Sequence, residues 1–596
     1  MPHTSPSNRT PRACLASPRP AKLRTLNALF QRHELRWRHA LAVVAGLLLA
    51  AAFPKPGVAG LAWVAPGLLL FSAAGQPAKV AFRLGWLGGL AFNLAALHWL
   101  LFIPVTGFPI LGWLALSAYA AVYPGLWVWL CWRLAPVPAT SSRRPDCTNT
   151  EEAAGYSQRA AWALKCAVLW VGLETILGCI LTGFPWLALG VSQHKLVPLI
   201  QIASVTSVAG VSFLVVWFAA ALPGAGVSLM QHPTARWLAM REVALPAAAI
   251  TLAIGWGLAQ PRLPQHLDQQ SRSGELRLAL IQPSIPQTMI WKPAEKTSRF
   301  AKLMQLSELA LATKPDVLVW PEAALPELNE ESFRAITNLV ARHQVFMVFG
   351  ADDYELKPGT PSGSNRPSDY AFYNSALLLS PEGKVLATYR KRHLVMFGEY
   401  IPLADSLPFL KWFTPIEGGF AAGKEPVAFQ VGSLEPQRPD PGGEGRMPQP
   451  AQRLRAGMLI CFEDVIAPIT RDSAADADFL LNLTNDGWFG ESAQQFQHAA
   501  HSVFRAVENR RPVVRCTNNG LTCWVDETGF MHDLGVGDAA DVHGTGFRVV
   551  KLWVPATGSR QPTFYQRHGN WFGWGCVVAL AGMLLQQWWR EARRKQ

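Results

Sequence analysis

A long segment near the N-terminus contains no acidic residue. Between His39 and Trp132 there is no Asp or Glu, and the only basic residues are Lys55, Lys79 and Arg83. A water-soluble domain of that length cannot cover its surface with so few charges. Over the whole chain 16% of the 596 residues are charged and 50% are hydrophobic, which also excludes a disordered chain. The segment therefore predicts helices that span a membrane.

A spanning helix needs about 20 mostly apolar residues, and eight segments of the chain meet that requirement. They lie at 39–54, 57–74, 80–103, 109–132, 160–181, 203–230, 243–260 and 569–589. The first is followed at once by further spans and not by a cleavage site for a signal peptide, so we expect it to be retained. The sequence thus predicts a polytopic α-helical membrane bundle of eight spans.

The positive charges indicate how the bundle is oriented. The net charge is +13, and Lys and Arg cluster beside apolar spans, as orientation in a membrane requires. This disfavours nucleic acid as a partner. The positive-inside rule places both termini in the cytoplasm. The predicted order is a basic tail at 1–38, expected to be disordered, a seven-helix region at 39–260, an extracytoplasmic domain at 261–568, the eighth helix at 569–589 and a basic tail at 590–596.

The segment 261–568 differs from the rest because it has ordinary charge and alternating strand and helix signals. The β-rich runs are Leu276–Gln282, Asp316–Trp320, Val345–Phe349, Ser375–Leu379, Leu454–Cys461, Asp478–Leu483 and Pro512–Arg515. The helical stretches are Ala294–Thr313, Glu331–His343 and Ser492–Arg510. Strands interleaved with helices predict an α/β domain. The Pro/Gly-rich segments 357–368 and 435–452 interrupt this alternation and are predicted to be exposed loops.

Three side chains with catalytic potential follow β-type runs in this domain. They are Glu322, Lys391 and Cys461. A carboxylate, an ammonium and a thiol suit covalent acyl chemistry, since the thiol can attack a carbonyl while the others move the proton and stabilise charge. Each also has a plain structural explanation: a solvated loop acid, a surface basic run and a buried cysteine.

Glu, Lys and Cys in this order resemble the catalytic triad of the nitrilase superfamily. The resemblance implies that Glu322 is the general base, Lys391 the oxyanion-stabilising group and Cys461 the nucleophile. It implies an α-β-β-α sandwich for the domain and requires neither a metal nor an organic cofactor.

Several motifs narrow the resemblance. They are Thr182–Leu187, Gln282–Gln287 with Trp291, His393–Leu403, Ile460–Glu463, Leu483–Gly490 and Arg515–Gly520. Together with the domain inserted before the last span, these resemble the apolipoprotein N-acyltransferase family over roughly residues 39–590. The family carries a second essential acid, which Glu399 resembles. The residues that resemble site-lining or mobile-arm positions are Trp291, Phe462, Glu463, Trp488 and Phe489. Phe462 stands where the family often has Tyr, so one hydroxyl is missing.

The resemblance implies a reaction in two steps. An acyl chain passes from the sn-1 position of a phospholipid, expected to be phosphatidylethanolamine, to Cys461 as a thioester. It then passes to the α-amine of the N-terminal S-diacylglyceryl-cysteine of an apolipoprotein, the last step of lipoprotein maturation. The implied location is the bacterial inner membrane.

Two other functions are compatible with parts of the sequence. The first is a membrane-tethered hydrolase of small amides or nitriles, for which the eight-span anchor and the Trp- and Phe-rich site segments are unnecessary. The second is a transporter or scaffold with an inactive appended domain, against which the intact triad argues.

Overall fold

The structure is a computed structural model of the chain. It describes residues 21–105, 108–135, 149–231, 233–260, 272–290, 292–326, 328–361, 364, 366–404, 406–409, 419–434, 452–532, 536, 542–555 and 561–595.

Helices make up the first part of the chain and recur in the second. They are α1 (Ala21–Ala52), α2 (Ala65–Ser72), α3 (Ala78–Ala96), α4 (Phe108–Arg133), α5 (Asn149–Leu177), α6 (Val197–Ile200), α7 (Ala203–Gln231), α8 (Arg236–Ala259), α9 (Gln287–Ile290), α10 (Lys296–Leu311), α11 (Glu330–His343), α12 (Ala467–Ala474), α13 (Gln494–Asn509), α14 (Phe564–His568) and α15 (Trp571–Lys595).

Within the described residues, five helical segments are long and apolar enough to cross a membrane. They are Glu34–Ala52, Pro109–Arg133, Gly155–Leu177, Ala203–Met230 and Arg236–Ala259. Each overlaps a predicted span. The predicted span at 569–589 lies almost entirely within the continuous helix α15. The predicted span at 80–103 is only partly one helix, because α3 ends at Ala96 and the 3₁₀ turn His98–Phe102 follows it.

The structure differs from the sequence prediction at two places near the N-terminus. Helix α1 begins at Ala21. The prediction of a disordered tail over 1–38 is therefore wrong from residue 21 onward. The Pro-rich part of the sequence ends at Pro20, and the residues that follow have high helix propensity and extend the helix. Residues 1–20 lie outside the described part. The predicted span 57–74 is not one helix but a 3₁₀ turn, Ala59–Trp63, followed by α2. Pro66 stands in the first turn of α2, where proline begins a helix rather than continuing one.

Small residues allow the first helices to pack closely. A Cβ atom on Gly46 of α1 would lie 2.1 Å from the carbonyl oxygen of Gly88 of α3. Only glycine leaves room for this approach, which is a common way for membrane helices to gain van der Waals contact.

The second part of the chain forms two sheets, each six-stranded in the described residues. The strands are β1 (Arg272–Gln282), β2 (Val317–Val319), β3 (Phe346–Leu356), β4 (Tyr370–Leu379), β5 (Val385–Arg390), β6 (Ala428–Leu434), β7 (Gln452–Ile460), β8 (Phe479–Thr484), β9 (Val513–Thr517), β10 (Cys523–Val525), β11 (Met531–His532) and β12 (Gly546–Pro555). The strand orders are β12-β1-β2-β3-β4-β5 and β11-β10-β9-β8-β7-β6. The predicted α/β domain is confirmed.

The two sheets pack face to face around one apolar core. Leu278, Leu280 and Val319 of the first sheet share a buried cluster with Met458 and Leu481 of the second. Helices α10 and α11 cover the outer face of the first sheet through a separate cluster. Helices α12 and α13 cover the second sheet, and their cluster continues into the membrane bundle. The layers therefore run helix, sheet, sheet, helix, with the membrane region beneath the last layer.

Cys516 and Cys523 lie on neighbouring strands, yet no disulfide joins them. Cys516 points into the core between the sheets, whereas Cys523 belongs to a cluster that includes Leu521 and Ala499 of α13. Side chains on opposite faces of a sheet cannot meet the geometry of a disulfide.

Helix α13 lies between the two-sheet domain and the bundle. Every residue of α13 except Phe496 is buried, although the helix is rich in polar side chains. Its Gln497 accepts hydrogen bonds at Oε1 from the indole nitrogens of Trp99 (3.0 Å) and Trp186 (2.8 Å). The same amide donates from Nε2 to the carbonyl oxygens of Pro54 (2.8 Å) and Ala96 (3.2 Å). One side chain thus joins three separate loops of the membrane region.

A carboxylate at the other end of α13 stabilises a break in α7. Ser207 has φ +60° and ψ −174°, which interrupts the helix. Glu508 Oε1 accepts hydrogen bonds from the Ser207 hydroxyl (2.7 Å) and from the backbone nitrogen of Val208 (3.1 Å). The donors that the break exposes are therefore satisfied by the domain, as buried backbone groups require.

Glu174 of α5 has a structural role of the same kind. Its Oε1 accepts hydrogen bonds from the backbone nitrogen of Leu189 (2.7 Å) and the indole of Trp170 (3.1 Å). Its carboxylate therefore binds the loop that carries Trp186.

Replacing Gln497 with Leu is expected to lower the thermal stability of the detergent-solubilised protein markedly. Two indole N–H groups and two carbonyls would lose their partner in a buried site, at about 1–3 kcal/mol for each unsatisfied group. The matched control is Gln430→Leu, because Gln430 is exposed on β6. Equal apparent Tm values for the two variants would show that the Gln497 bonds do not hold the two parts together.

Candidate active site

Strand directions bring the predicted triad to one edge of the sandwich. β1, β2 and β3 are parallel, and β5 runs in the same direction because two antiparallel pairings separate it from β3. Glu322 follows β2 and Lys391 follows β5, so both stand at the same edge of the first sheet. Cys461 directly follows β7 of the second sheet. The carboxyl ends of parallel strands are a common place for binding sites in α/β folds.

Lys391 is the centre of the cluster, and its side chain is 1% exposed. Its Nζ lies 2.8 Å from Glu399 Oε1 and 3.4 Å from Glu322 Oε1. A buried ammonium is tolerated when it is paired and hydrogen-bonded. Burial alone lowers the pKa of Lys391, but the carboxylates of Glu399 and Glu322 outweigh this and raise it above its ordinary value. Lys391 therefore remains a cation at neutral pH.

Asn374 holds the two carboxylates in place, and the sequence analysis missed it. Its Nδ2 donates to Glu322 Oε1 at 2.8 Å and to Glu399 Oε1 at 3.0 Å. It lies in the middle of β4, directly before the buried Ser375, and is 7% exposed. Two polar residues inside a strand that is otherwise apolar or aromatic were the available signal.

The nucleophile candidate stands in a strained turn. Cys461 has φ +54°, a region that residues with a Cβ seldom occupy at a cost of about 1 kcal/mol or more. Glu463, fully buried two residues later, accepts bonds from the backbone nitrogen of Ile460 (2.7 Å) and from those of Arg392 (2.7 Å) and His393 (3.0 Å). One carboxylate thus ties the Cys461 turn to the residues that follow Lys391.

The proton of the thiol lies on sulfur in the resting site. Burial raises the pKa of the Cys461 thiol well above its usual value, Glu322 raises it further, and Lys391 lowers it. Burial also raises the pKa of Glu322, while Lys391 lowers it and Glu399 raises it; a hydrogen bond from the Cys461 thiol stabilises its charged form. A thiol hydrogen-bonded to a carboxylate of raised pKa is the arrangement that general-base activation needs.

The aromatic residues predicted to line the site differ in their contacts and in their exposure. Phe462 stacks on Trp186 with ring centroids 6.0 Å apart and lies 5.9 Å from the ring of His393. Phe489 meets Trp99 edge to face at 4.7 Å. Trp488 is partly exposed in the same short 3₁₀ turn. Trp291 lies outside the described residues.

No group of three or more His, Cys, Asp or Glu in the described part of the chain has the geometry of a metal site. The chemistry of the triad itself needs only the proton acceptor, the cation and the thiol described above.

Fold and site together define a class: a membrane-anchored protein with a carbon-nitrogen hydrolase domain and a Glu-Lys-Cys centre. Comparison with protein families agrees. Residues 277–537 match the carbon-nitrogen hydrolase family, and residues 45–221 match the N-terminal domain of apolipoprotein N-acyltransferase.

Full-length relatives define the family. The apolipoprotein N-acyltransferase of Geobacter metallireducens is 32% identical over 563 residues, covering 91% of this chain and 93% of the relative. That of Vibrio vulnificus is 28% identical, covering 95% and 99%. An amidase structure from Nesterenkonia sp. aligns with 53% of this chain and 98% of its own at 15% identity and a TM-score of 0.31. The chain belongs to the apolipoprotein N-acyltransferase family. It is a bacterial integral membrane acyltransferase that acts on lipoproteins.

Replacing Lys391 with Met is expected to destabilise the protein strongly. Glu322 and Glu399 would remain buried side by side without a cation, and breaking such a buried pair costs about 3–5 kcal/mol. Apparent Tm in detergent provides the measurement. Lys551→Met is the control: Lys551 forms a surface pair with Glu275 at 3.3 Å, and exposed pairs contribute at most about 1 kcal/mol. A Lys391→Met variant as stable as the control would contradict the central role of this cation.

Proposed function

We propose that Glu322, Lys391 and Cys461 carry out a two-step acyl transfer from a membrane phospholipid to the N-terminal amine of a diacylated lipoprotein. The observation that carries the proposal is the geometry of the buried cluster, in which one ammonium contacts two carboxylates at 2.8 and 3.4 Å. The charges of Lys391 and Glu322 both act on the Cys461 thiol.

In the first step Cys461 Sγ forms a bond to the acyl carbonyl carbon of the donor ester. The thiol proton passes to Glu322, and the carbonyl electrons move to oxygen, where the ammonium of Lys391 donates a hydrogen bond to the oxyanion. The tetrahedral centre collapses, the carbon–oxygen bond to the lysophospholipid breaks, and Glu322 returns the proton to the leaving alkoxide. A thioester on Cys461 remains.

In the second step the α-amine of the lipoprotein attacks the thioester carbonyl. Glu322 accepts a proton from the amine, the carbon–sulfur bond breaks, and the proton passes to sulfur. The products are an amide and the regenerated thiol, with no net consumption of an oxidant or a cofactor. Two half-reactions through one covalent intermediate give ping-pong kinetics.

Apolar residues around the site suit acyl chains. Phe397, Leu403 and Phe409, in the segment after Lys391, are exposed, and so is Phe102 from the bundle, which approaches Gly490 beside Phe489. Exposed apolar side chains near a catalytic centre are available for contact with a lipid chain. A phospholipid donor, expected to be phosphatidylethanolamine acylated at sn-1, accounts for them better than a small amide does.

We further propose eight membrane spans, with both termini in the cytoplasm and the catalytic domain on the periplasmic side of the inner membrane. The clusters of Lys and Arg in the tails and in the segments 75–83, 133–160 and 231–242, which join or begin the membrane helices, support this orientation. Both substrates would then reach the site from the outer leaflet.

Incubation of the purified protein with labelled phosphatidylethanolamine is expected to place one acyl group on Cys461. Subsequent addition of a diacylated lipopeptide should discharge it as triacylated product. Peptide mapping by mass spectrometry identifies the acylated residue. Cys461→Ala should give no acyl-enzyme, and Glu322→Gln should form it about 100-fold or more slowly, because the general base is gone.

The same experiment separates the alternatives. An acyl-enzyme that only hydrolyses in the presence of lipopeptide would support the membrane-tethered hydrolase. A folded protein that takes up no label would support an inactive domain. Glu330→Gln, an exposed acid at the start of α11, serves as the control and should react like the unaltered protein.

Topology is testable by reporter fusions. Green fluorescent protein fused after Gln596 should fluoresce, because it folds in the cytoplasm. Alkaline phosphatase inserted in the loop 435–451 should be active, because its disulfides form only in the periplasm. The reverse pair of results would show that the orientation is wrong.

A further inference from the structure

A second buried charge cluster stands directly behind the nucleophile turn. His498 of α13 lies between two aspartates: Nε2 is 2.8 Å from Asp464 Oδ1, and Nδ1 is 2.8 Å from Asp486 Oδ1. Arg515 of β9 contacts Asp464 and lies 3.6 Å from Asp486 Oδ2. Neither imidazole, aspartate nor guanidinium is more than 2% exposed. None of these groups takes part in the reaction proposed above.

The geometry indicates that His498 carries a proton on both nitrogens. Each nitrogen faces a carboxylate oxygen at hydrogen-bond distance, and each contact needs an N–H. Arg515 Nη2 also lies 3.2 Å from Nδ1, but the aspartate is nearer. With a charged imidazole the cluster holds two negative and two positive groups. With a neutral imidazole it would keep one uncompensated negative charge in a buried site, which is costly.

The same imidazole reaches the turn that presents the thiol. His498 Nε2 lies 3.3 Å from the carbonyl oxygen of Cys461, and Asn482 Nδ2 donates to that oxygen at 3.1 Å. These two donors hold the peptide that follows the residue with φ +54°. A strained conformation persists only where its surroundings fix it.

The negative charge of Asp486 also acts on the thiol, since it raises the pKa of Cys461. A cation between Asp486 and Asp464 offsets this effect on a developing negative charge at sulfur. Burial lowers the pKa of His498, but the two aspartates raise it to about 9, so the cation is present at neutral pH.

We propose that His498, held as an imidazolium between Asp464 and Asp486, is a positioning residue for acyl transfer that fixes the Cys461 turn and balances the aspartate charges behind its sulfur. The inference rests on Cys461 being the nucleophile, as proposed above.

Other groups facing His498 do not supply this function. Ser502 of α13 donates to Asp464 at 2.6 Å, and Gln494 donates to Asp486 at 3.0 Å, so both bind the aspartates. His501, one turn along α13, binds the carbonyl oxygen of Trp186 at 3.0 Å; burial and the nearby Arg505 lower the pKa of His501 to about 3, which leaves it neutral. His501 is therefore a matched control: it is a second buried histidine on the same helix that also contacts Trp186, and among the described residues it makes no hydrogen bond to the nucleophile turn.

The test measures the rate at which iodoacetamide alkylates Cys461 as a function of pH, followed on the Cys461 peptide by mass spectrometry. In His498→Gln the profile should move to higher pH by about one unit, because Asp486 then loses its nearest cation and keeps only the more distant Arg515. In Asp486→Asn it should move to lower pH, because the imidazolium is then in excess. The double variant Asp486→Asn/His498→Gln should return close to the native profile, and His501→Gln should leave it unchanged.

Acyl-enzyme formation is measured on the same variants. His498→Gln should form it at least about tenfold more slowly, whereas His501→Gln should remain within about twofold. Coincident alkylation profiles for His498→Gln and the native protein, or an equal shift in His501→Gln, would overturn the proposal. If His498→Gln does not fold, the alkylation profile of Asp486→Asn provides the test. An unshifted profile in that variant would also overturn the proposal. Alkylation needs no acyl donor, so its outcome stands apart from whether the acyl transfer itself is correct.

Discussion

The polar side of one buried helix determines how the two halves of the molecule fit together. Helix α13 contributes apolar side chains to the cluster shared with the bundle, and its Gln497 and Glu508 bind loops and a broken helix of the membrane region. Hydrogen bonds made in a buried site are directional and costly to lose. The bundle and the sandwich are therefore held in one relative position by the same element that carries His498 to the nucleophile turn.

The reactive centre depends on a different balance, that of one ammonium against two carboxylates. Asn374 and Glu463 supply the remaining hydrogen bonds: Asn374 orients both acids, and Glu463 joins the turn of Cys461 to the chain after Lys391. Because these groups are buried and mutually bonded, little reorganisation is needed when charge develops at the substrate, which is the main source of electrostatic catalysis.

The sequence predicts strands correctly where a local run of apolar residues defines them. The runs at Leu276–Gln282 and Asp478–Leu483 are continuous apolar strands, and the structure places strands there. The predictions failed where packing against neighbouring elements decides the structure: the short strand β5 was missed, the start of α1 was placed too late, and the segment 57–74 is divided between the 3₁₀ turn Ala59–Trp63 and α2. Asn374 is 52 residues from Glu322 in sequence, and no spacing rule links an amide to a carboxylate that only strand pairing brings together.

Phe462 links the candidate active site to the membrane region. It directly follows Cys461, the proposed nucleophile, and its ring lies against Trp186, which belongs to a loop between membrane helices. Trp186 is in turn fixed by Gln497. A catalytic domain without its membrane helices would keep Glu322, Lys391 and Cys461. It would lose Trp186, the side chain against which Phe462 packs. In this fold the surroundings of the thiol and the attachment to the membrane therefore depend on the same contacts.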